Sequence, residues 1–420
     1  MLDIKPIGKL NTSVNVPGSK SYTNRALIIG ALAVGETVLE NALFSDDTKY
    51  MIASLKDLGL NLLEDSSKNI ITVNGMGGRI PVQTADLFVG NAGTAMRFLT
   101  AMLTLGVGRY KIDGVARMHD RPIQDLLDGL NQLGANVRSV NNTKCPPVQI
   151  DANSLKGGNC KVNGDLSSQY ISALLMIAPY CSTDVTLQIN GELVSKKYVE
   201  MTIALMEYFG VTVENRSYAT FFINSNQRYT AKEYYVEPDA SSASYFLAAA
   251  AITGGRVRVE GLGSKSVQGD ASFVNVLEKM GCSIEKGENF IEVQGGRLKG
   301  VDVDMSDMPD VAQTAAAVAV FAEGKTRIRN VGNLRIKETD RIAAVVNEMR
   351  RIGIECTEFD DGFEIVPSDP EPGEIETYDD HRMAMSFSLI GLKAKGIKIK
   401  NPECVTKTFP DFFERLFALS

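Results

Sequence analysis

Val16-Pro17-Gly18-Ser19-Lys20-Ser21-Tyr22-Thr23-Asn24-Arg25 is the stretch on which the reading of this chain turns. Alternating Val14 and Val16 mark the end of a strand, and Pro17-Gly18 is a turn that stops it. Ser19 or Ser21 can then cap a helix running through Leu27 and Ala33. Backbone N–H groups, two serine hydroxyls, Lys20 and Arg25 therefore converge on one helix mouth, a setting that suits a phosphate or a carboxylate. A nucleotide P-loop does not fit, because Ser19 separates Gly18 from Lys20. Taken alone, the stretch fits a plain capped helix start as well as a ligand site.

Outward from this stretch, the same unit recurs. Turn-and-cap clusters stand at Gly18-Ser19, Gly90-Asn91, Gly164-Asp165, Pro238-Asp239, Pro309-Asp310 and Asp379-Asp380, with 72, 74, 74, 71 and 70 residues between neighbours. Each opens a small, apolar run of helical length: 25–33, 95–105, 170–178, 243–252, 311–322 and 383–392. A turn and a strand-like run follow, as in Thr37-Val38-Leu39-Glu40 and Thr326-Arg327-Ile328-Arg329. A second, amphipathic helix ends at Gly59, Gly134, Gly210, Gly281 and Gly353, spaced 75, 76, 71 and 72. Two interleaved series in step mark a repeat architecture of six units, the sixth cut short with 410–419 as its second helix. The first helices are apolar nearly all round and must be buried, so strands lie outside them. Three units per domain is the natural division, with a break near residue 237. Six helix mouths facing a shared cleft would add their dipoles, which suits a heavily charged ligand.

Composition bounds the alternatives. The chain has 420 residues, 44% hydrophobic and 23% charged, which is an ordinary globular balance and enough for two domains. No apolar run is long enough to span a bilayer, and the start lacks a signal pattern. Six cysteines without a Cys-x-x-Cys pair and only two histidines suggest neither a metal site nor a disulfide framework, and a reducing cytoplasm fits. A net charge of −7 argues against a nucleic-acid surface, so an anionic ligand needs cations focused in a cleft.

Several charged clusters exceed what capping needs. Gly90 to Arg97 forms a glycine-bearing loop, and Arg121-Pro122 opens an amphipathic helix at which an arginine works against the dipole. Ser167-Ser168-Gln169 reads equally as simple capping. Asn333 to Arg341 is the densest cluster: Lys337 and Arg341 are four apart and share one face if helical, with Glu338 beside them, although a solvated charged face is the usual reading of such a run. Asp379-Asp380-His381-Arg382 closes the series, where His381 could be an ordinary buried, hydrogen-bonded histidine, and Lys407-Thr408-Phe409-Pro410-Asp411 precedes the last helix.

With these stretches, Leu193-Val194-Ser195-Lys196 and 239–245 in order, the chain closely resembles the 3-phosphoshikimate 1-carboxyvinyltransferase, or EPSP synthase, family from residue 5 to nearly its end. The resemblance implies an inside-out α/β barrel of six βαβαββ-type repeats. Residues 1–18 plus 238–420 would form one domain, with the first strand of the chain, and 19–237 the other. The active site would lie in the cleft between them. It implies transfer of enolpyruvate from phosphoenolpyruvate to the 5-hydroxyl of shikimate 3-phosphate, in a cytoplasmic monomer that uses no cofactor and no metal. By matched position, shikimate 3-phosphate would meet Ser21, Arg25, Ser167, Ser168, Ser195, Tyr198, Asp310, Asn333 and Lys337. Phosphoenolpyruvate would meet Lys20, Gly93, Arg121, Gln169, Arg341, Arg382 and Lys407. The catalytic candidates are Lys20, Asp310 and Glu338: Glu338 or Lys20 at C3 of phosphoenolpyruvate and Asp310 at the hydroxyl. Gly93 is also the place where relatives tolerant of the competitor glyphosate often carry alanine. Phe98 and Lys197 depart from the common pattern but touch none of these positions.

Three other readings compete. A sister enzyme that uses UDP-N-acetylglucosamine relies on a cysteine just before its Arg-Pro, and Gly114 to Asp120 contains none. An RNA-end cyclase of related fold conflicts with the acidic balance. A non-catalytic metabolite sensor conflicts with the retention of Lys20, Asp310 and Glu338.

Overall fold

In the computed structural model, which describes residues 1–419, the helices come in six pairs along the chain. They are α1 (Lys20–Leu32) and α2 (Asp46–Asp57), α3 (Gly93–Leu103) and α4 (Gln124–Gln132), α5 (Ser168–Ile177) and α6 (Lys196–Tyr208), α7 (Ala240–Thr253) and α8 (Phe273–Lys279), α9 (Ala312–Ala319) and α10 (Arg341–Arg351), and α11 (His381–Gly391) and α12 (Phe412–Phe417). The odd-numbered helices are buried almost throughout, because their apolar residues leave no polar stripe for water. The even-numbered helices α2, α4 and α10 bury one face and keep charge on the other. The glycines at 59, 134, 210, 281 and 353 all have positive φ, as helix-ending residues should.

Each helix pair has its own sheet, four-stranded in five units and three-stranded in the sixth. In the second unit, Thr84–Phe88 runs parallel to Val107–Asp113, and Val148–Asn153 and Val137–Ser139 follow antiparallel. Parallel neighbours need a crossover, and α3 supplies it, which explains why the apolar helix sits against the sheet. The first and fourth sheets depart from strict sequence order. Asn11–Val14, just ahead of α1, pairs with Arg256–Glu260, while Glu233–Tyr235, just ahead of α7, pairs with Val34–Glu40. The strand before each of these two helices therefore completes the other helix's sheet.

The described chain divides into two compact units, Gly18–Glu237 and Met1–Pro17 with the segment from Pro238 onward, each with its own hydrophobic core. Gly18 goes with the first of these, one residue away from the expected boundary. A Cβ on it would lie 1.8 Å from the Asn41 carbonyl oxygen, so the Gly18 backbone packs directly on its own unit. In the second unit α7, α9 and α11 contact one another, and alanines such as Ala248, Ala249 and Ala316 allow the close approach. Their buried hydroxyls satisfy each other: Ser244 lies 3.2 Å from Thr314, which lies 3.4 Å from Ser386. No helix among the described residues is long and apolar enough to cross a membrane.

Candidate active site

Within residues 18–237, the mouths of α1, α3 and α5 carry the polar groups. Ser19, not Ser21, caps α1: its hydroxyl accepts from the Tyr22 N–H. That leaves Lys20 in the first turn, with Nζ 3.2 Å from a carboxylate oxygen of Asp47. Arg25, one turn later, is buried, donating from Nε to Thr202 Oγ1 at 2.7 Å and from Nη2 to Ser172 Oγ and the Tyr198 carbonyl. Its Nη1 donates to the Ser21 carbonyl at 2.9 Å, and the guanidinium lies over the Phe98 ring. Burial lowers its pKa to about 10, partly offset by Tyr198 and Tyr22, so it remains a cation at neutral pH. Arg25 thereby ties α1 to α5 and α6 while supporting Ser21 and Tyr198.

The α3 mouth is built on a pair of arginines. Arg97 donates to the Gly93 carbonyl at 3.1 Å and to the Pro122 carbonyl at 2.9 Å. Arg121 Nη1 donates to the backbone and side-chain oxygens of Asn91. Arg121 is 3% exposed, and its Nε has no hydrogen-bond partner among the described residues, a desolvated donor that an anion would satisfy. A Cβ on Gly93 would lie 2.4 Å from Arg121 Nη2 and 2.6 Å from Arg97 Nη1, so the glycine makes room for both guanidiniums. Ser167 caps α5 by accepting from the Gln169 N–H, and the Gln169 amide donates to Thr94 at 3.5 Å, joining the α5 and α3 mouths. Ser168 is buried in the first turn of α5. Ser195, at the N-cap of α6, is held in the left-handed region at φ 54°, and its carbonyl accepts from the Tyr198 N–H. Such a backbone conformation is rare for a non-glycine residue and marks a constrained position. Pro122 lies just ahead of α4 rather than in its first turn, since Ile123 is the N-cap.

The second unit carries a knot of charge around Arg341. This guanidinium donates to Asp380 Oδ2 at 2.7 Å, Glu338 Oε2 at 2.9 Å and Asp310 Oδ1 at 3.2 Å, and it is 1% exposed. Burial alone would depress its pKa, but Asp380, Glu338 and Asp310 more than offset that and hold it raised. Arg382 Nη2 donates to Asp310 Oδ2 at 2.9 Å, Lys337 Nζ lies 3.9 Å from Asp310 Oδ1, and Lys407 Nζ lies 3.9 Å from Glu338 Oε1. Three carboxylates, Asp310, Glu338 and Asp380, thus stand among four cations. Asn333 is half-buried in the short turn Gly332–Ile336 that leads to Lys337.

The shared helix face expected for Lys337 and Arg341 does not exist. Lys337 ends that 3-10 turn in extended backbone, and α10 starts only at Arg341, capped by Asp340, whose side chain accepts from the Ala343 N–H. The two cations meet through Asp310 instead. Sequence reasoning also passed over Asp47, Asp380, Ser172 and Thr202 as site residues. Asp380 was visible as the N-cap of α11, accepting from the Arg382 N–H at 2.9 Å, but its grip on Arg341 was not. Asp47 follows Asp46 at a helix start, where acids are common for dipole reasons alone. Of the reading of His381 as a buried, hydrogen-bonded histidine, the structure bears out the burial, with Nδ1 3.5 Å from Asp380 Oδ1.

A family model described as EPSP synthase (3-phosphoshikimate 1-carboxyvinyltransferase) matches residues 4–416. The chain is 50% identical to the 3-phosphoshikimate 1-carboxyvinyltransferases of Shewanella piezotolerans and Shewanella baltica, over 100% of its own length and 99% of theirs. It is similar in structure to an EPSP synthase from Acinetobacter baumannii, with a TM-score of 0.84 and 27% identity over 100% of this chain and 98% of that one. The repeat architecture and the relatives agree along the whole chain: this protein belongs to the EPSP synthase family.

Proposed function

We propose that the chain transfers the enolpyruvyl group of phosphoenolpyruvate to the 5-hydroxyl of shikimate 3-phosphate and releases phosphate, a step of aromatic biosynthesis. The observation that carries this reading is the arrangement of Asp310 and Glu338 among Arg341, Arg382, Lys337 and Lys407. Phosphoenolpyruvate is a polyanion, and guanidinium forks suit its phosphate and carboxylate. In the first half of the reaction the acceptor oxygen bonds to C2 and gives its proton to Asp310, while Glu338 or Lys20 delivers a proton to C3. In the second half the C2–O bond to phosphate breaks and C3 loses a proton, which leaves the enol ether and free phosphate. Carboxylates near C2 stabilise the cationic character that develops there.

Both substrates, by the matched positions, take ligands from each unit. We place the enzyme in the cytoplasm as a monomer, where six free thiols suit a reducing compartment. The test is phosphate release from phosphoenolpyruvate with shikimate 3-phosphate and, separately, with UDP-N-acetylglucosamine. Release with the first acceptor alone is expected; release only with the second would overturn the reading.

A further inference from the structure

One buried acid beside the charge knot has no part in the reaction as written. Asp270 sits in the short turn Gly269–Ser272 ahead of α8 and is 4% exposed. The Ser241 hydroxyl, in the first turn of α7, donates to Asp270 Oδ2. Ser241 Oγ in turn accepts from Arg382 Nη2 at 3.3 Å, and that nitrogen also donates to Asp310 Oδ2 at 2.9 Å. A hydroxyl has one proton to give. Because Ser241 gives it to Asp270, the oxygen lone pairs are left facing Arg382. The Tyr245 hydroxyl, 3.4 Å from Nη1, borders the same guanidinium. Arg382 is therefore fixed by a serine whose own orientation a carboxylate imposes.

We propose that Asp270 is a positioning residue for the transfer reaction, acting through Ser241 to hold Arg382 where it receives an anionic group of phosphoenolpyruvate. The inference rests on the reading of Arg382 as a phosphoenolpyruvate ligand. The groups acting on Asp270 include the acids Asp310 and Asp239, the cation Arg382 and the Ser241 hydroxyl. Burial first, and then the Asp310 charge, raise the Asp270 pKa to about 7, with Arg382 and Ser241 opposing. An arriving phosphate or carboxylate adds negative charge to the same guanidinium. Asp270 can answer that charge by taking up a proton near neutral pH, so phosphoenolpyruvate binding gains as pH falls through this range.

The test compares wild type, Asp270→Asn and Ser241→Ala from pH 5.5 to 9, reading kcat and the two KM values, with thermal melting alongside. Wild-type turnover with shikimate 3-phosphate checks the underlying reading by itself; the differences between proteins check the proposal. The substrate's own titration is common to all three and cancels. Asp270→Asn mimics the protonated acid, so the wild-type rise in phosphoenolpyruvate KM above pH 7 should flatten in the variant. Ser241→Ala should raise that KM roughly tenfold, the scale of a hydrogen bond to a charged group, and change the shikimate 3-phosphate KM less than twofold. An Asp270→Asn profile superimposable on wild type would overturn the proposal. So would a Ser241→Ala protein whose two KM values are unchanged, or variants that lose both KM values, kcat and melting temperature together.

Discussion

Gly93 shows what one missing methyl does. The Cβ of alanine would collide with the ends of Arg121 and Arg97, which can swing away, so folding should survive while the anion pocket changes shape. Crowding of this kind costs about 1–3 kcal/mol. Gly93→Ala should therefore weaken glyphosate roughly ten- to a hundredfold, and raise the phosphoenolpyruvate KM by less because that ligand is shorter. Equal weakening of both, measured under the same conditions, would indicate general damage to the loop. Glu338 allows a separate test of chemistry. Glutamine keeps an acceptor for Arg341 but cannot cycle a proton, so Glu338→Gln should lower kcat by about 10²–10⁴ with substrate binding by calorimetry nearly unchanged. Lost binding with intact turnover would make the residue a holder of Arg341 only. Asp270 also bears on stability. A carboxyl whose folded pKa is raised to about 7 carries its proton into the folded state from near pH 4 upward. Its contribution is whole below the unfolded pKa and is lost as pH rises through 7. The melting temperature of Asp270→Asn should thus gain on wild type between pH 5 and pH 8.

Among the elements, the strand Ile70–Met76 packs backbone to backbone on α1. A Cβ at Gly75 would lie 2.1 Å from the Gly30 carbonyl oxygen and 2.4 Å from that of Ala33, and backbone cannot swing aside. Gly75→Ala should cost about 1–3 kcal/mol of stability, read by thermal or denaturant unfolding, and a loss within error would show that the strand can shift. The buried helices were legible beforehand, and so were the caps of α1, α7 and α11, where Ser19, Asp239 and Asp380 accept from the first turn. Three expected caps fail: α3 and α9 start at Ala92 and Val311 without a side-chain cap, and α5 is capped by Ser167 rather than Asp165, because the turns there run on past the cluster before the helix begins. The charged run from Asn333 to Arg341 was legible as a cluster and not as a shape. Nothing in its spacing announces that a 3-10 turn and an extended Lys337 precede α10, since Asp310, more than twenty residues upstream, is what draws the two cations together.

For the molecule as a whole, ligands matched on both units lead to an expectation for the free and bound enzyme. Two units joined by two chain crossings can hinge, so saturating shikimate 3-phosphate should reduce the radius of gyration in small-angle scattering. An unchanged profile at saturation would sink this expectation. Six repeats, their period and the burial of the first helices were settled by the sequence alone, because local periodicity and capping act within one turn of chain. Which strand completes which sheet and which acid grips which arginine were decided only in three dimensions. Asn11–Val14 reaches Arg256–Glu260 across more than two hundred residues, and Asp380 reaches Arg341 from another helix. Pairings of that kind follow from packing two cores at once, and the local spacing of the residues carries no trace of them; only the family resemblance placed the first strand with the C-terminal half.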